Sequence, residues 1–395
     1  MPTGSNRRAF LRATALTGGA TAFSGALWHR AFAATGVPRG PAQPGAGPYG
    51  PLQAADANGL RLPAGFTGRV VARSLQRVPG TRHTWHSAPD GGACFPTADG
   101  WIYVSNSEVP LIGGASALRF NASGTVTDAY RILNMTTLNC AGGATPWDTW
   151  LSCEEYDLGI VYETYPQGGR PAAQRPAMGR FKHEAAACDP VRKVVYLTED
   201  QGDGCFYRFV PATWGDLSSG TLEVLIGSGT GPVTWRRVPN PRVWTTPTRN
   251  QVEGAMRFDG GEGCYYTDGV CYFTTKGDGR VWAYDAAAST LGLAYDDDLV
   301  TGGEAPLTGV DNITGTRSGD LYVAEDGGDM QINMITPNGV VTPFLQVVGH
   351  EKSEITGPAF SPDGSRLYFS SQRGRSGAIG GGDGHTFEVT GPFRA

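Results

Sequence analysis

From about Leu60 onward one pattern of polar and apolar positions recurs along the chain. A turn is followed by a short apolar-aromatic run that ends in acidic or polar residues. Asp99-Gly100-Trp101-Ile102-Tyr103-Val104-Ser105-Asn106-Ser107-Glu108 is the first instance. Asp148-Thr149-Trp150-Leu151-Ser152-Cys153-Glu154-Glu155 and Arg192-Lys193-Val194-Val195-Tyr196-Leu197-Thr198-Glu199-Asp200 follow. Three more begin at Gly269, Gly319 and Gly364. Runs of this length, rich in β-branched and aromatic residues and bounded by turn signals, read as strands. Aligned on Tyr103, Trp150, Tyr196, Tyr272, Tyr322 and Tyr368, they lie 47, 46, 76, 50 and 46 residues apart. A strand-built period of about 40–50 residues predicts an all-β propeller, here with six blades.

The long step holds Pro211 to Asn250, read as extra strands and an inserted loop. Tyr156 to Arg180 reads as a second insertion, a candidate lid at the channel mouth. The run Thr386-Phe387-Glu388-Val389 is expected to pair with Gly68-Arg69-Val70-Val71, which would close the ring and remove an exposed edge.

The first residues follow another pattern. Asn6-Arg7-Arg8-Ala9-Phe10-Leu11-Arg12, a mildly apolar Ala/Gly/Thr-rich stretch and Ala31-Phe32-Ala33 predict a twin-arginine signal over residues 1–33. Residues 34–60 then read as a linker, with Gly36 to Pro51 rich in proline and glycine, and 61–395 as the propeller. Export to the periplasm or medium follows, with the twin-arginine translocase as a transient partner and no stable membrane anchor. Outside residues 1–33, 28 basic residues face 37 acidic ones. With no basic stripe, a nucleic-acid surface is not expected. The chain is expected to act as a monomer. Seven cysteines make an odd set, and cytoplasmic folding before export argues against a disulfide framework. Cys264 and Cys271 flank a Thr-Asp-Gly turn as expected cross-strand neighbours.

The repeat also places chemistry. Acids follow the aromatic anchors at Glu108, Glu154/Glu155, Glu199/Asp200 and Glu325/Asp326. A second set precedes the same strands: His86 and Asp90, His183-Glu184, Gln251-Val252-Glu253, Asp311-Asn312 and Glu354. Carboxylates converging on one axis repel and are tolerated when protonated or bound to cations. Oxygen-rich clusters suit calcium, magnesium or ferric iron. Cys153, beside two glutamates, reads as a thiolate ligand. His183-Glu184 lacks the second histidine of a zincin helix, and neither a Walker loop nor a nucleophile elbow is present.

At these residues the chain resembles the PhoX family of secreted bacterial alkaline phosphatases. The carriers are the twin-arginine start, Pro89-Asp90-Gly91-Gly92, Asn106-Ser107-Glu108, Thr149-Trp150-Leu151-Ser152-Cys153-Glu154-Glu155, Gly179-Arg180-Phe181-Lys182-His183-Glu184, Asp311-Asn312-Ile313 and Glu354-Ile355-Thr356-Gly357-Pro358. The resemblance implies iron and calcium in the channel, a cysteine bridging irons, and hydrolysis of phosphate monoesters. It assigns Cys153 as the bridge, and Glu108, Glu154, Glu184, Glu199, Asp200, Glu253, Asp311 and Glu354 as the pool of metal ligands. Cys153, Glu253 and Arg249 would be catalytic. The family's Arg-Pro-Glu stretch, whose arginine binds phosphate, is Gln251-Val252-Glu253 here, so Arg249 or Arg180 would have to replace that arginine. Two other readings stay open: a calcium-dependent lactonase or phosphodiesterase, and a non-catalytic periplasmic binding module.

Overall fold

The computed structural model describes residues 40–242, 245–378 and 380–394. The twin-arginine segment and Trp244 lie outside the described residues. The rest forms a six-bladed β-propeller. Blade one is Pro89–Thr97, Gly100–Ser107, Gly113–Asn121 and Val126–Thr136. Blade two is Asn139–Ala144, Trp150–Glu154, Val161–Thr164 and Ala173–Gln174. Blade three runs from His183–Asp189 through Val194–Glu199, Phe206–Thr213 and Asp216–Ile226 to a fifth strand, Thr234–Arg237. Blade four is Gly261–Thr267, Val270–Thr275, Arg280–Asp285 and Thr290–Asp296, with Gly231–Pro232 on its outer edge. Blade five is Val310–Gly315, Leu321–Glu325, Gln331–Ile335 and Val340–Val347.

Blade six takes Ile355–Phe360, Arg366–Ser371 and His385–Thr390 from the C-terminal part and Thr67–Arg73 from the N-terminal part. The expected closing pair is present: Phe387 faces Val70 and Val389 faces Gly68. Two other expectations are corrected. Tyr156 to Arg180 is not a lid, because it contains the third and fourth strands of blade two. The described part of the linker is seated on the ring. Gln43–Pro44 pairs parallel with Val340–Val341, and Leu60–Arg61 pairs with Gln346–Val347. The extra strands expected between Pro211 and Asn250 are those on the outer edges of blades three and four.

The turn residues explain the local folding. Asp268 and Gly269 both take positive φ, 47° and 89°, in the two-residue turn joining the first strands of blade four. That hairpin geometry favours Asp-Gly. Each blade buries both faces against its neighbours. Tyr103, Trp150, Tyr196, Tyr322 and Tyr368 are at most 1 % exposed, each contributing about 1.5–3 kcal/mol of apolar burial. Tyr272 is only half-buried, and Cys271 beside it takes the core position in blade four.

Candidate metal centre

The innermost strands carry one irregularity in common. In blade one Pro89 pairs with Ser107 and Gly92 with Ser105, so three steps on one strand match two on its partner. The same extra residue follows Asn139, His183, Gly261, Val310 and Thr356. A β-bulge re-aims the side chain it inserts. The residues so placed are Asp90, Cys140, Glu184, Glu262, Asp311 and Gly357, one per blade. A second ring is formed one residue past the second strand's last pairing before the bulge. It holds Glu108, Glu155, Asp200, Lys276 and Asp326 in blades one to five, and in blade six, whose strands pair one residue further, Gln372.

The two rings meet. Asp90, Glu108 and Cys140 offer ligand atoms within 4.8 Å of one another, as do Cys140, Glu155 and Glu184, and again Glu184, Glu262 and Asp311. The three groups share Cys140 and Glu184, so they form one continuous cluster. Cys140 Sγ donates to Glu184 Oε1 at 3.2 Å. Glu184 Oε2 is buried with no hydrogen-bond partner. Gln372 Nε2 donates to Asp90 at 2.6 Å and to Glu108 at 2.7 Å. Arg373 holds Glu354 at 2.7 Å, and Lys276 holds Asp200 at 2.9 Å and Glu262 at 2.6 Å.

Two cations do not balance this many acids, and burial raises the acids' affinity for protons. Burial, with Glu108 beside it, lifts Asp90 to about 7. Burial, then Glu108 and Asp200, lifts Glu155 to about 10. Glu262 reaches about 8 through burial, against the pull of Lys276. Burial and neighbouring carboxylates push Glu184 and Asp311 well above their usual range, and burial followed by Asp90 and Glu184 does the same to Cys140. Without cations the site holds protons; a cation would replace them. The orphaned Glu184 oxygen and a set of carboxylate oxygens around one thiol fit hard cations, with the thiol favouring iron over calcium at its own position.

Several predicted ligands are elsewhere, the paired acids for one reason. Successive strand residues point to opposite faces, so only one of each acidic pair reaches the channel. Glu154 turns into its blade and accepts from the N–H groups of Thr137 and Ile160. Glu199 accepts from Cys205 N and Tyr207 Oη. Glu325 repeats the first arrangement, bound to Thr308 N and Gln331 N. Their neighbours Glu155, Asp200 and Asp326 are the channel residues. Cys153 is fully buried among Leu151, Val161, Met178 and Phe181 between blades two and three. The thiol that meets the acids is Cys140. Glu253 is exposed in a loop, and Glu262 takes the blade-four position. Arg249 is held by Glu199 at 3.2 Å and Asp203 at 2.8 Å. His183 stacks on Phe181 at 3.6 Å and bonds Gly179 O, a core role. Glu108, Glu184, Asp200, Asp311 and Glu354 do gather at the channel, with Asp90, Cys140, Glu155 and Glu262 added to them.

Beside the bulges lies a cavity of about 330 Å³ lined by Cys94, Cys188 and Cys264, by small residues, and by Trp150, Tyr265 and Phe360. Cys264 and Cys271 are neighbours as expected, with sulfurs 3.4 Å apart and both thiols free.

A search of curated proteins gave no match. The structure of PhoX from Pseudomonas fluorescens, in complex with the transition-state analogue vanadate, superposes with a TM-score of 0.68. It is 18 % identical, over 86 % of this chain and 97 % of that one. A Bacteroides thetaiotaomicron protein of unknown function superposes at 0.51, with 10 % identity over 82 % and 76 % of the two chains. At such identities these likenesses establish the propeller. A match to the alkaline phosphatase PhoX family covers residues 103–172 and 156–374, well over half of the sequence. The chain therefore belongs to the alkaline phosphatase PhoX family of phosphoric monoester hydrolases.

Proposed function

We propose that this protein is an exported phosphatase that hydrolyses small phosphate monoesters at an iron and calcium cluster held by the bulge ring and the strand-end ring. The observation that carries this reading is the continuous set of Asp90, Glu108, Cys140, Glu155, Glu184, Glu262 and Asp311 around one axis. Cys140, Glu155 and Glu184 are the proposed iron ligands. The all-oxygen group Glu184, Glu262 and Asp311 on one side, and the Asp90 and Glu108 carboxylates on the other, suit calcium. Bound there, the ions would supply Lewis-acid charge and acidify a water.

The chain's own residues do the rest. The bulges fix one side chain on a rigid strand in each of blades one to five, and the Gln372 amide sets the orientation of Asp90 and Glu108. Arg373 orients Glu354. Asn312 ties blade five to blade six by accepting from Gly357 N at 2.7 Å, while its amide donates to Asp311. Positioning of this kind matters because phosphoryl transfer draws on alignment and charge stabilisation more than on covalent chemistry.

Among the described residues no helix is long and apolar enough to cross a membrane. Export by the twin-arginine route rests on Arg7 and Arg8. Replacing both with lysine is expected to leave the protein in the cytoplasmic fraction; unchanged export would refute that part.

The test of function is metal analysis of natively exported protein together with turnover of p-nitrophenyl phosphate at alkaline pH. Lactones and phosphodiesters belong in the same screen. Monoester turnover that depends on bound iron and calcium supports the proposal. A fully metallated protein inert toward monoesters overturns it, and activity on lactones or diesters alone would point to the other hydrolase readings.

A further inference from the structure

The strand-end ring is acidic at Glu108, Glu155, Asp200 and Asp326, but blade four places Lys276 there. The Lys276 ammonium has three N–H donors. Asp200 and Glu262 account for two of them. In both pairs the lysine is the more exposed partner, 36 % against 13 % and 5 %. Two blades away, Arg373 stands beside the same ring. One of its guanidinium nitrogens bonds Glu354, and it too is the more exposed partner, 33 % against 10 %.

Both cations act on one space. Lys276 bonds Glu262, which shares one ligand group with Glu184 and Asp311, and Arg373 follows Gln372, whose amide bonds Asp90 and Glu108 in that same continuous cluster. Arg249, the residue read as a stand-in for the family's arginine, is occupied by Glu199 and Asp203 on blade three. Were cations bound at Glu262 and Glu354, the pull of those carboxylates on Lys276 and Arg373 would weaken, leaving the two side chains as anion donors.

We infer that Lys276 and Arg373 contact the non-reacting oxygens of the substrate's phosphoryl group. This rests on the phosphatase reading above. A lysine would act as a point charge and an arginine as a planar fork, so the pair would hold one oxygen loosely and two in a fixed plane.

The competing role is local charge balance, in which Lys276 only shields Asp200 and Glu262. The test uses the full chain loaded with iron and calcium, as wild type, Lys276→Met, Lys276→Arg and Arg373→Gln. Four quantities are read: inhibition by inorganic phosphate, KM and kcat for p-nitrophenyl phosphate, metal content per chain, and the rise in unfolding temperature on adding phosphate. Lys276→Met and Arg373→Gln are each expected to weaken phosphate binding about 10- to 100-fold, the range of one charge-assisted hydrogen bond. Metal content stays at the wild-type level, and Lys276→Arg recovers most of the affinity. Unchanged phosphate inhibition and protection in both variants overturn the inference, as does loss of metal in step with loss of phosphate affinity. Should Lys276→Met fail to fold, Arg373→Gln decides by the same criteria. A wild type that turns over no monoester yet is protected by phosphate through Lys276 would keep the anion site and remove the phosphatase reading instead.

Discussion

Exchanging the two candidate sulfurs one at a time gives opposite expectations for two measurements. In Cys153→Ser a hydroxyl replaces a thiol that is 0 % exposed among Leu151, Val161 and Phe181. A hydroxyl buried without a partner costs about 1–3 kcal/mol. Unfolding entropy near 2.1 cal/mol/K per residue, over the roughly 350 described residues, comes to about 0.74 kcal/mol/K. The melting temperature should therefore fall by about 1–4 °C, with iron content unchanged. In Cys140→Ser the new hydroxyl still reaches Glu184 and loses little in the metal-free protein. Iron content should fall to about a tenth or less, because a neutral hydroxyl replaces a thiolate. Calorimetry of chelated protein and metal analysis of exported protein separate the two effects. Iron lost from Cys153→Ser and kept by Cys140→Ser would refute the placement of the sulfurs.

Three further outcomes follow from the same geometry. Between unfolded carboxyl values near 4 and the folded values of about 7, 8 and 10 for Asp90, Glu262 and Glu155, the folded metal-free chain keeps protons that the unfolded chain has released. Stability from those groups is full near pH 4 and is lost as pH rises through that range; a melting temperature that climbs from pH 5 to 9 in chelator would contradict it, and added calcium should flatten the slope. Glu262→Gln should lower metal content while Glu253→Gln leaves it and the activity unchanged, which elemental analysis of both variants checks. Glu154→Ala leaves the N–H groups of Thr137 and Ile160 without their acceptor and should cost about 2–3 kcal/mol in denaturant titration without altering metal content.

The ring was legible because each blade must present the same features to its neighbours, so spacing and anchors repeat. The site was only half legible. Adjacent acids such as Glu154 and Glu155 look equivalent in a sequence, and only the sheet decides which one faces inward. The aromatic anchors also drift. Tyr103 and Trp150 lie four residues before the second strand's end pairing, and Tyr196, Tyr272, Tyr322 and Tyr368 three. A bulge leaves no mark in composition, so the offset it adds was invisible. One signal was there to be read. The inner-ring residues Asp90, Cys140, Glu184 and Asp311 lie 18, 15, 16 and 15 residues before the strand-end residues Glu108, Glu155, Asp200 and Asp326. Glu262 lies 14 residues before Lys276, whereas Glu253 lies 23 before it. Cys140 has no acid near it in sequence, whereas Cys153 stands directly beside two glutamates.

The seam between Thr67–Arg73 and His385–Thr390 joins parts of the chain more than 300 residues apart. Asp90 and Glu108 lie on one side of that seam, and Glu354, Gln372 and Arg373 on the other. A nascent chain still on the ribosome can form its early blades but cannot yet bring these groups together. The Asp90 and Glu108 end of the cluster thus gains its Gln372 contact only after the C-terminal strands have joined, and contacts so distant in sequence make that last step slow.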